Sequence, residues 1–252
     1  MVRCSYEVDV MRKIFTSFPL TSTFELSSDD AHHVMVVLRH KVGDSIAVTD
    51  STGTTYDCII TQIENHAVFL TPAHKISDAV ISNGKIILAA GLLKNDRFEW
   101  IVQKAVELGV DRIIPVQMNH CVVKLNETRQ QDKIKRWQKI ALEAAKQCGR
   151  NDVPEITAVF DISKLVKEYR DVRFVVPYEQ ETAPFHDICQ QVRTGDIVIC
   201  IGPEGGFDKN EIALLREKIP WCRTVSLGTR ILRAETAAIA AISIIMYERG
   251  FN

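Results

Sequence analysis

From residue 13 to about residue 73, apolar positions come in short runs: Ile46-Ala47-Val48, Tyr56-Asp57-Cys58-Ile59-Ile60 and Ala67-Val68-Phe69-Leu70. Turn signals at Val42-Gly43-Asp44 and Ser51-Thr52-Gly53 separate them. Short β-branched and aromatic runs bounded by such residues predict strands. One short helix is expected among them, capped at Ser28-Asp29-Asp30 and carrying His32, His33, Val36 and Val37. The pattern predicts a small β-barrel over residues 11–74, with a linker over residues 75–84 marked by Pro72 and the polar stretch 77–83.

From Lys85 the pattern changes, and residues 85–252 read as a second domain. Residues 86–90 form a continuous apolar run of the buried-strand type. Phe98, Ile101, Val102, Ala105 and Val106 recur at helical spacing, and Gly109 stops that helix. A strand over 110–116 precedes a long helix with Ile134, Trp137, Ile140, Ala141, Ala144 and Ala145 on its inner face. Three more apolar strands are expected at 173–176, 197–201 and 224–227, then an Ala/Ile-rich helix over 234–249 closed by Gly250. Such alternation predicts an α/β domain with a parallel sheet covered on both faces. Ligands of these sheets bind beyond the carboxyl ends of the strands.

Two glycine-rich elements follow apolar runs there. They are Ile201-Gly202-Pro203-Glu204-Gly205-Gly206-Phe207 and Leu227-Gly228-Thr229-Arg230-Ile231-Leu232-Arg233-Ala234-Glu235-Thr236. Glycine admits positive φ and lets main-chain groups approach a ligand closely. Each element alone reads as a tight turn; two framing one sheet edge point to a pocket built mainly from backbone.

Composition narrows the class. With 252 residues, 46% hydrophobic and 25% charged, the chain is globular and long enough for one large or two unequal domains. No apolar run approaches the roughly 18 residues of a membrane span. Residues 1–10 lack the apolar core of a signal peptide and read as an extension, disordered or an upstream start. Seven scattered cysteines without a CxxC pair argue against a disulfide framework or zinc site and for a reducing cytoplasm, and no metal is expected. Residues 1–80 hold 6 lysines and arginines against 10 acidic residues, and residues 81–252 hold 25 against 22. A polyanionic partner would therefore need a local basic patch. The dinucleotide fingerprint, the P-loop, the G-x-S-x-G elbow and the H-E-x-x-H motif are all absent, which disfavours hydride transfer, nucleotide hydrolysis and serine hydrolysis.

Gly202-Pro203-Glu204-Gly205-Gly206-Phe207 with Glu211, followed by Leu227-Gly228, Arg230-Ile231-Leu232-Arg233 and Glu235-Thr236-Ala237, resembles the signature loops of the RsmE family. These are SPOUT-superfamily methyltransferases acting on uridine N3 of 16S ribosomal RNA. The likeness extends to Gln103-Lys104-Ala105-Val106-Glu107-Leu108-Gly109-Val110, to the helix from Trp137 through Glu143-Ala144-Ala145, Gln147, Arg150 and Pro154, and to His33 through Lys41-Val42-Gly43-Asp44. It covers nearly everything from Met11 onward. It implies a PUA-like β-barrel before a trefoil-knotted SPOUT domain that binds S-adenosylmethionine in the knot, in a homodimer acting on 16S ribosomal RNA or the small subunit. Cofactor contacts would be Val176 and Pro177, Ile201 through Gly206 (with Pro203, Glu204 and Gly205), and Leu227, Gly228, Ile231, Leu232 and Thr236. Ile239, Ile242, Ile245 and Met246 would be core, or core and subunit interface.

Methyl transfer from a sulfonium needs an in-line nucleophile and stabilisation of changing charge, and N3 must lose a proton. Arg233 and Arg230 are the electrostatic candidates, with Glu235 or Glu204 as base or orienter. Both glutamates read equally as caps of the helices they precede. RNA contacts would fall to Arg12, Lys13, Arg39 and Lys41 in the first domain, and to Lys94, Arg97, Gln103, Lys104 and His120 in the second. Glu99, Gln103 and Glu107, at i, i+4 and i+8, read either as a solvated face or as part of an RNA surface. Asn119-His120-Cys121 departs from the family's Glu-Arg-Ser/Cys pattern. Two other functions fit the same loops: methylation elsewhere, such as a ribose 2′-OH, or a non-catalytic RNA-binding assembly protein.

Overall fold

The structure is a computed structural model that describes residues 13–77 and 83–250. The predicted extension 1–10 and Arg12 lie outside the described residues. The chain divides into two compact units, residues 1–81 with 145–152, and residues 82–144 with 153–252.

In the first unit, β1 (Ile14–Phe15), β2 (Phe24–Glu25), β3 (Ser45–Thr49), β4 (Thr55–Glu64) and β5 (Ala67–Ser77) form one sheet in the order β1-β3-β4-β5-β2. Only β1 and β3 run parallel. The alternate residues Ile46 and Val48, Cys58 and Ile60, and Val68 and Leu70 turn inward, as a period of two requires, and join Ile14, Leu26 and Val34 in the core. Asn65 and His66, both at positive φ, make the tight β4–β5 turn. Pro72 lies inside β5 opposite Cys58, not in a linker. A register shift between Asp57 and Cys58 accommodates it there.

The expected helix divides into α1 (Ser28–His32) and a π-helical turn (His33–Val37). Its cap is Ser27, whose hydroxyl accepts the Asp30 amide at 3.2 Å. Ala31 and Val34 carry the burial, while Val36 and Val37 are exposed. Residues 145–152, the end of the long helix and the turn after it, belong to this unit, which sequence spacing did not indicate. Lys146 pairs with Asp30 at 2.7 Å, and the Lys13 ammonium donates to the Gly149 carbonyl at 2.7 Å.

The second unit holds a parallel sheet in the order β12-β10-β11-β6-β7-β8, with β9 also paired to β7. Its elements follow as β6 (Ile86–Gly91), α2 (Arg97–Glu107), β7 (Arg112–Gln117), α3 (Glu127–Cys148), β8 (Glu155–Ile156), β9 (Phe160–Asp161) and α4 (Ile162–Glu168). Then come β10 (Arg173–Pro177), a 3-10 helix (Phe185–Val192), β11 (Ile197–Ile201), α5 (Lys209–Lys218), β12 (Cys222–Val225) and α6 (Ala234–Glu248). Every residue of β6 and β11 is buried, which explains why these strands read as unbroken apolar runs.

Helix α2 ends with the Gly109 amide bonded to Val106 and the Val110 amide to Ala105, the paired bonds of a Schellman stop. Trp137 of α3 packs on Phe98 at 4.4 Å between ring centroids. Glu99 is not on a solvated face. It is buried and takes Arg136 at 2.7 Å and Lys133 at 3.3 Å, because α3 covers that side of α2.

Candidate active site

Three chain segments leave the same sheet edge and enclose a cavity of about 450 Å3. Residues 177–179 span the end of β10 and the chain leaving it, residues 201–207 do the same at β11, and residues 226–234 follow β12, with Arg97 and Ala237 completing the wall. Because β10, β11 and β12 are parallel, their carboxyl ends must share one edge, and the loops meet there. The Tyr178 amide bonds to Val225 O at 3.0 Å, and Ser226 exchanges backbone bonds with Ala183 and Phe185. These bonds tie the first segment to the third.

The paired glycines of the first loop have separate causes. Gly206 has φ +71°, and a Cβ there would meet Glu179 Oε1 at 2.8 Å. A Cβ on Gly205 would meet His120 Cβ at 2.8 Å. Behind the loop, Asp208 caps α5 by accepting the Asn210 amide at 2.8 Å, and Glu211 returns the bond to the Asp208 amide at 2.9 Å. This is a capping box, whose Asp-x-x-Glu signature is legible in the sequence. The buried Glu211 also accepts the Asn119 amide at 2.8 Å, which brings the turn after β7 against the loop.

Neither Glu204 nor Glu235 caps a helix through its side chain. Glu204 Oε1 accepts the Lys94 amide at 3.0 Å and lies 3.7 Å from Arg97. Glu235, in the first turn of α6, lies 3.8 Å from Arg97 with its second oxygen buried and without a hydrogen-bond partner. Arg97, expected among RNA contacts, therefore faces carboxylates of both glycine loops. Arg230 and Arg233 are exposed residues of the cavity wall.

Most expected cofactor contacts line the cavity: Pro177, Ile201 through Gly206, Leu227, Gly228, Ile231 and Leu232. Val176 and Thr236 do not. Val176 is wholly buried in β10, and Thr236 is exposed one turn into α6. Phe207, part of the first glycine-rich element, lines the cavity too, and Tyr178, Glu179 and Ser226 line it without being expected from the sequence. Their adjacency to the recognised loops was the only available signal.

Of the expected RNA contacts, Lys94 and Gln103 are exposed, while Lys104 pairs with Glu107 at 2.7 Å. His120 turns to the glycine loop, with Nδ1 at 3.1 Å from Gly205 O and 3.3 Å from Gly206 O. In the first unit Arg39 and Lys41 are exposed. Lys13 is instead a structural tie to Gly149 and Asn151.

Burial pushes the Cys200 and Cys121 thiols above their ordinary range, so neither supplies a thiolate near the loops. The cavity thus offers backbone amides and carbonyls, the carboxylates of Glu179 and Glu204, and three arginines, of which Arg97 is turned to the Glu204 and Glu235 carboxylates. That inventory suits binding a polar organic molecule and stabilising developing negative charge, without covalent catalysis by the protein.

Residues 81–246 match the family described as RNA methyltransferase domain, and residues 26–72 match the RNA methyltransferase PUA domain. Ribosomal RNA small subunit methyltransferase E of Bacillus subtilis (strain 168) is 35% identical over 233 residues, covering 90% of each chain. Its counterpart from Rickettsia conorii is 30% identical, covering 88% of each chain. The chain belongs to the ribosomal RNA small subunit methyltransferase E family. The crystal structure of that enzyme from Neisseria gonorrhoeae, bound to S-adenosyl methionine, superposes with a TM-score of 0.82 at 29% identity, covering 94% of this chain and 97% of that one.

Proposed function

We propose that this protein transfers a methyl group from S-adenosylmethionine to N3 of a uridine in 16S ribosomal RNA. The observation that carries the reading is the backbone-lined cavity at the ends of β10, β11 and β12, in a chain so similar to ribosomal RNA methyltransferases along its length. The residues present fit the cofactor. About 450 Å3 is within the usual range for a ligand of this size, roughly 300–1,000 Å3. Side chains are withheld where a Cβ would crowd the loop, at Gly205 and Gly206.

When bound, the cofactor supplies an electrophilic methyl on a sulfonium that leaves as a neutral thioether. Residues 177–179, 201–207 and 226–232 would hold it. Arg230 and Arg233, exposed at the wall, would stabilise the uracil anion left when N3 gives its proton to solvent water. Arg97 occupies Glu204 and Glu235, which makes orienting the loops their better role than acting as base. N3 lies on the pairing edge, so the target base must be unpaired or flipped. Arg39, Lys41, Lys94 and Gln103 remain the exposed candidates for RNA contact, with any such binding salt-sensitive.

We also infer a trefoil-knotted connection. Strand β12 is at the sheet edge beyond β10, yet the helix that follows it packs on α2 and on central β11. A homodimer is supported by α6, apolar on most of its circumference, and by the exposed Tyr247, Trp100 and Ile231. A cytoplasmic setting follows from the substrate; among the described residues no helix is long and apolar enough to cross a membrane. The test is mass mapping of 16S ribosomal RNA from cells with and without the gene, followed by in vitro methylation of RNA lacking the mark. A missing N3-methyluridine that the purified protein restores is expected. A missing ribose methyl, or no missing mark, overturns the assignment.

A further inference from the structure

His120 is 46% exposed at the side chain, yet its ring addresses the first glycine loop. Nδ1 is 3.1 Å from Gly205 O and 3.3 Å from Gly206 O, and Nε2 is 3.8 Å from Asp208 Oδ2. A carbonyl oxygen only accepts, so Nδ1 carries the hydrogen and donates to that pair. The described peptides are all trans, and in a trans peptide the C=O and the following N–H point to opposite sides. Holding the Gly205 and Gly206 carbonyls toward the ring therefore turns the Gly206 and Phe207 amides away from it. The Gly206 amide closes a turn on Pro203 O at 3.0 Å. The Phe207 amide nitrogen lies toward Gly202, 3.3 Å from where a Cβ on that residue would stand, and both residues line the cavity.

The platform beneath the ring is tied to helix α5 by hydrogen bonds. The adjacent Asn119 amide is fixed at 2.8 Å by Glu211, which is only 3% exposed and also closes the α5 capping box. Gly205 and His120 interlock as well, since a Cβ on the glycine would meet His120 Cβ at 2.8 Å.

We propose that His120 is a positioning residue, a latch that keeps the Gly205–Gly206 carbonyls turned outward and so leaves the Phe207 amide, the one of the two amides not closing the turn on Pro203, for the cofactor. This rests on the cavity being the S-adenosylmethionine site. It differs from the role expected from sequence, an RNA contact, because Nδ1 is aimed at main-chain oxygens of the protein and Nε2 at the Asp208 carboxylate.

The test uses the full chain with H120A and H120Q. S-adenosylmethionine affinity is measured by titration calorimetry, and steady-state constants are measured for cofactor and RNA separately. With H120A, a cofactor Kd raised about five- to tenfold is expected from the loss of one or two ordinary hydrogen bonds. The RNA KM and its salt dependence should stay unchanged. H120Q, which keeps an N–H donor, should recover most of the affinity. An H120A protein that binds cofactor normally but shows a raised RNA KM overturns the latch in favour of the RNA contact. Unchanged constants throughout, or an H120Q no better than H120A, overturn it as well. A wild-type protein that fails to bind the cofactor overturns the underlying assignment of the cavity, and the latch with it.

Discussion

Arg97 Nε lies 3.8 Å from Glu235 Oε1, joining the first turn of α2 to the first turn of α6. The same guanidinium stands 3.7 Å from Glu204, so one side chain faces carboxylates of both glycine loops. Exposed ion pairs are usually worth about 0.2–1 kcal/mol. Here removal of the cation also leaves Glu235, already with one buried unpartnered oxygen, without its compensating charge. R97A is expected to lower stability by about 1 kcal/mol, or about 2–4 °C in Tm for a chain of this size. It should also weaken cofactor binding more than RNA binding. Calorimetry of both ligands alongside a thermal melt checks this, and a selective loss of RNA affinity would return Arg97 to the RNA surface.

Arg233 and Arg230 should behave differently from Arg97. Both are exposed, and no side-chain bond of Arg233 caps α6, so little folding energy depends on them. R233A is expected to fold with an unchanged Tm and bind cofactor nearly normally. Its single-turnover methyl transfer should fall by about 10²–10³, the usual cost of one group that stabilises transition-state charge. Near-normal turnover would remove Arg233 from the chemistry.

The glycine pair allows a sharper comparison. G206A places a β-carbon at φ +71° and 2.8 Å from the Glu179 carboxylate, whereas G205A places it 2.8 Å from His120 Cβ. Both should depress cofactor affinity. H120G removes the β-carbon that opposes G205A but also the imidazole latch, so G205A should add little further loss in an H120G background, whereas E179A relieves only the contact part of G206A and leaves the backbone strain. Affinities of each double variant against its own single H120G or E179A parent decide this, and a full G205A loss persisting in the H120G background would contradict the local account.

Acid should loosen one wall of the cavity. Glu181 accepts the Thr224 hydroxyl at 2.6 Å and the Thr182 amide at 2.9 Å. These bonds, with Ala183 and Arg216 beside them, hold its carboxyl below the usual range. A depressed folded-state value adds stability above the unfolded pKa of about 4.3, and that stability is lost as pH falls through the folded value. The difference in Tm between wild type and E181Q should therefore be largest near neutrality and shrink as pH drops below about 4. A difference independent of pH would show that the carboxylate's charge is not what anchors the loop.

Much of the second unit was legible because its signals are local. An unbroken apolar run such as residues 197–201, short and rich in β-branched residues, reads as a strand buried on both faces, and Gly109 after Val106 marks a helix stop by its backbone freedom. Short elements such as β8 and β9 were not legible, since two residues carry no periodicity and exist only because β7 is there to pair with. Pro72 read as a linker because its amide cannot join a ladder, yet the register shift beside Cys58 accommodates it.

The sequence by itself determined the two loops, the strands that deliver them and the family to which they point. Backbone conformation at glycine and hydrophobic period are properties of neighbouring residues. Only the tertiary structure decided which side chains serve the loops. Arg97 precedes Glu204 by 107 residues and Glu235 by 138, and His120 stands 85 before Gly205. Such partners meet only when the parallel sheet folds its strand ends to one edge, and charge or hydrogen-bonding capacity read along the chain carries no record of that meeting.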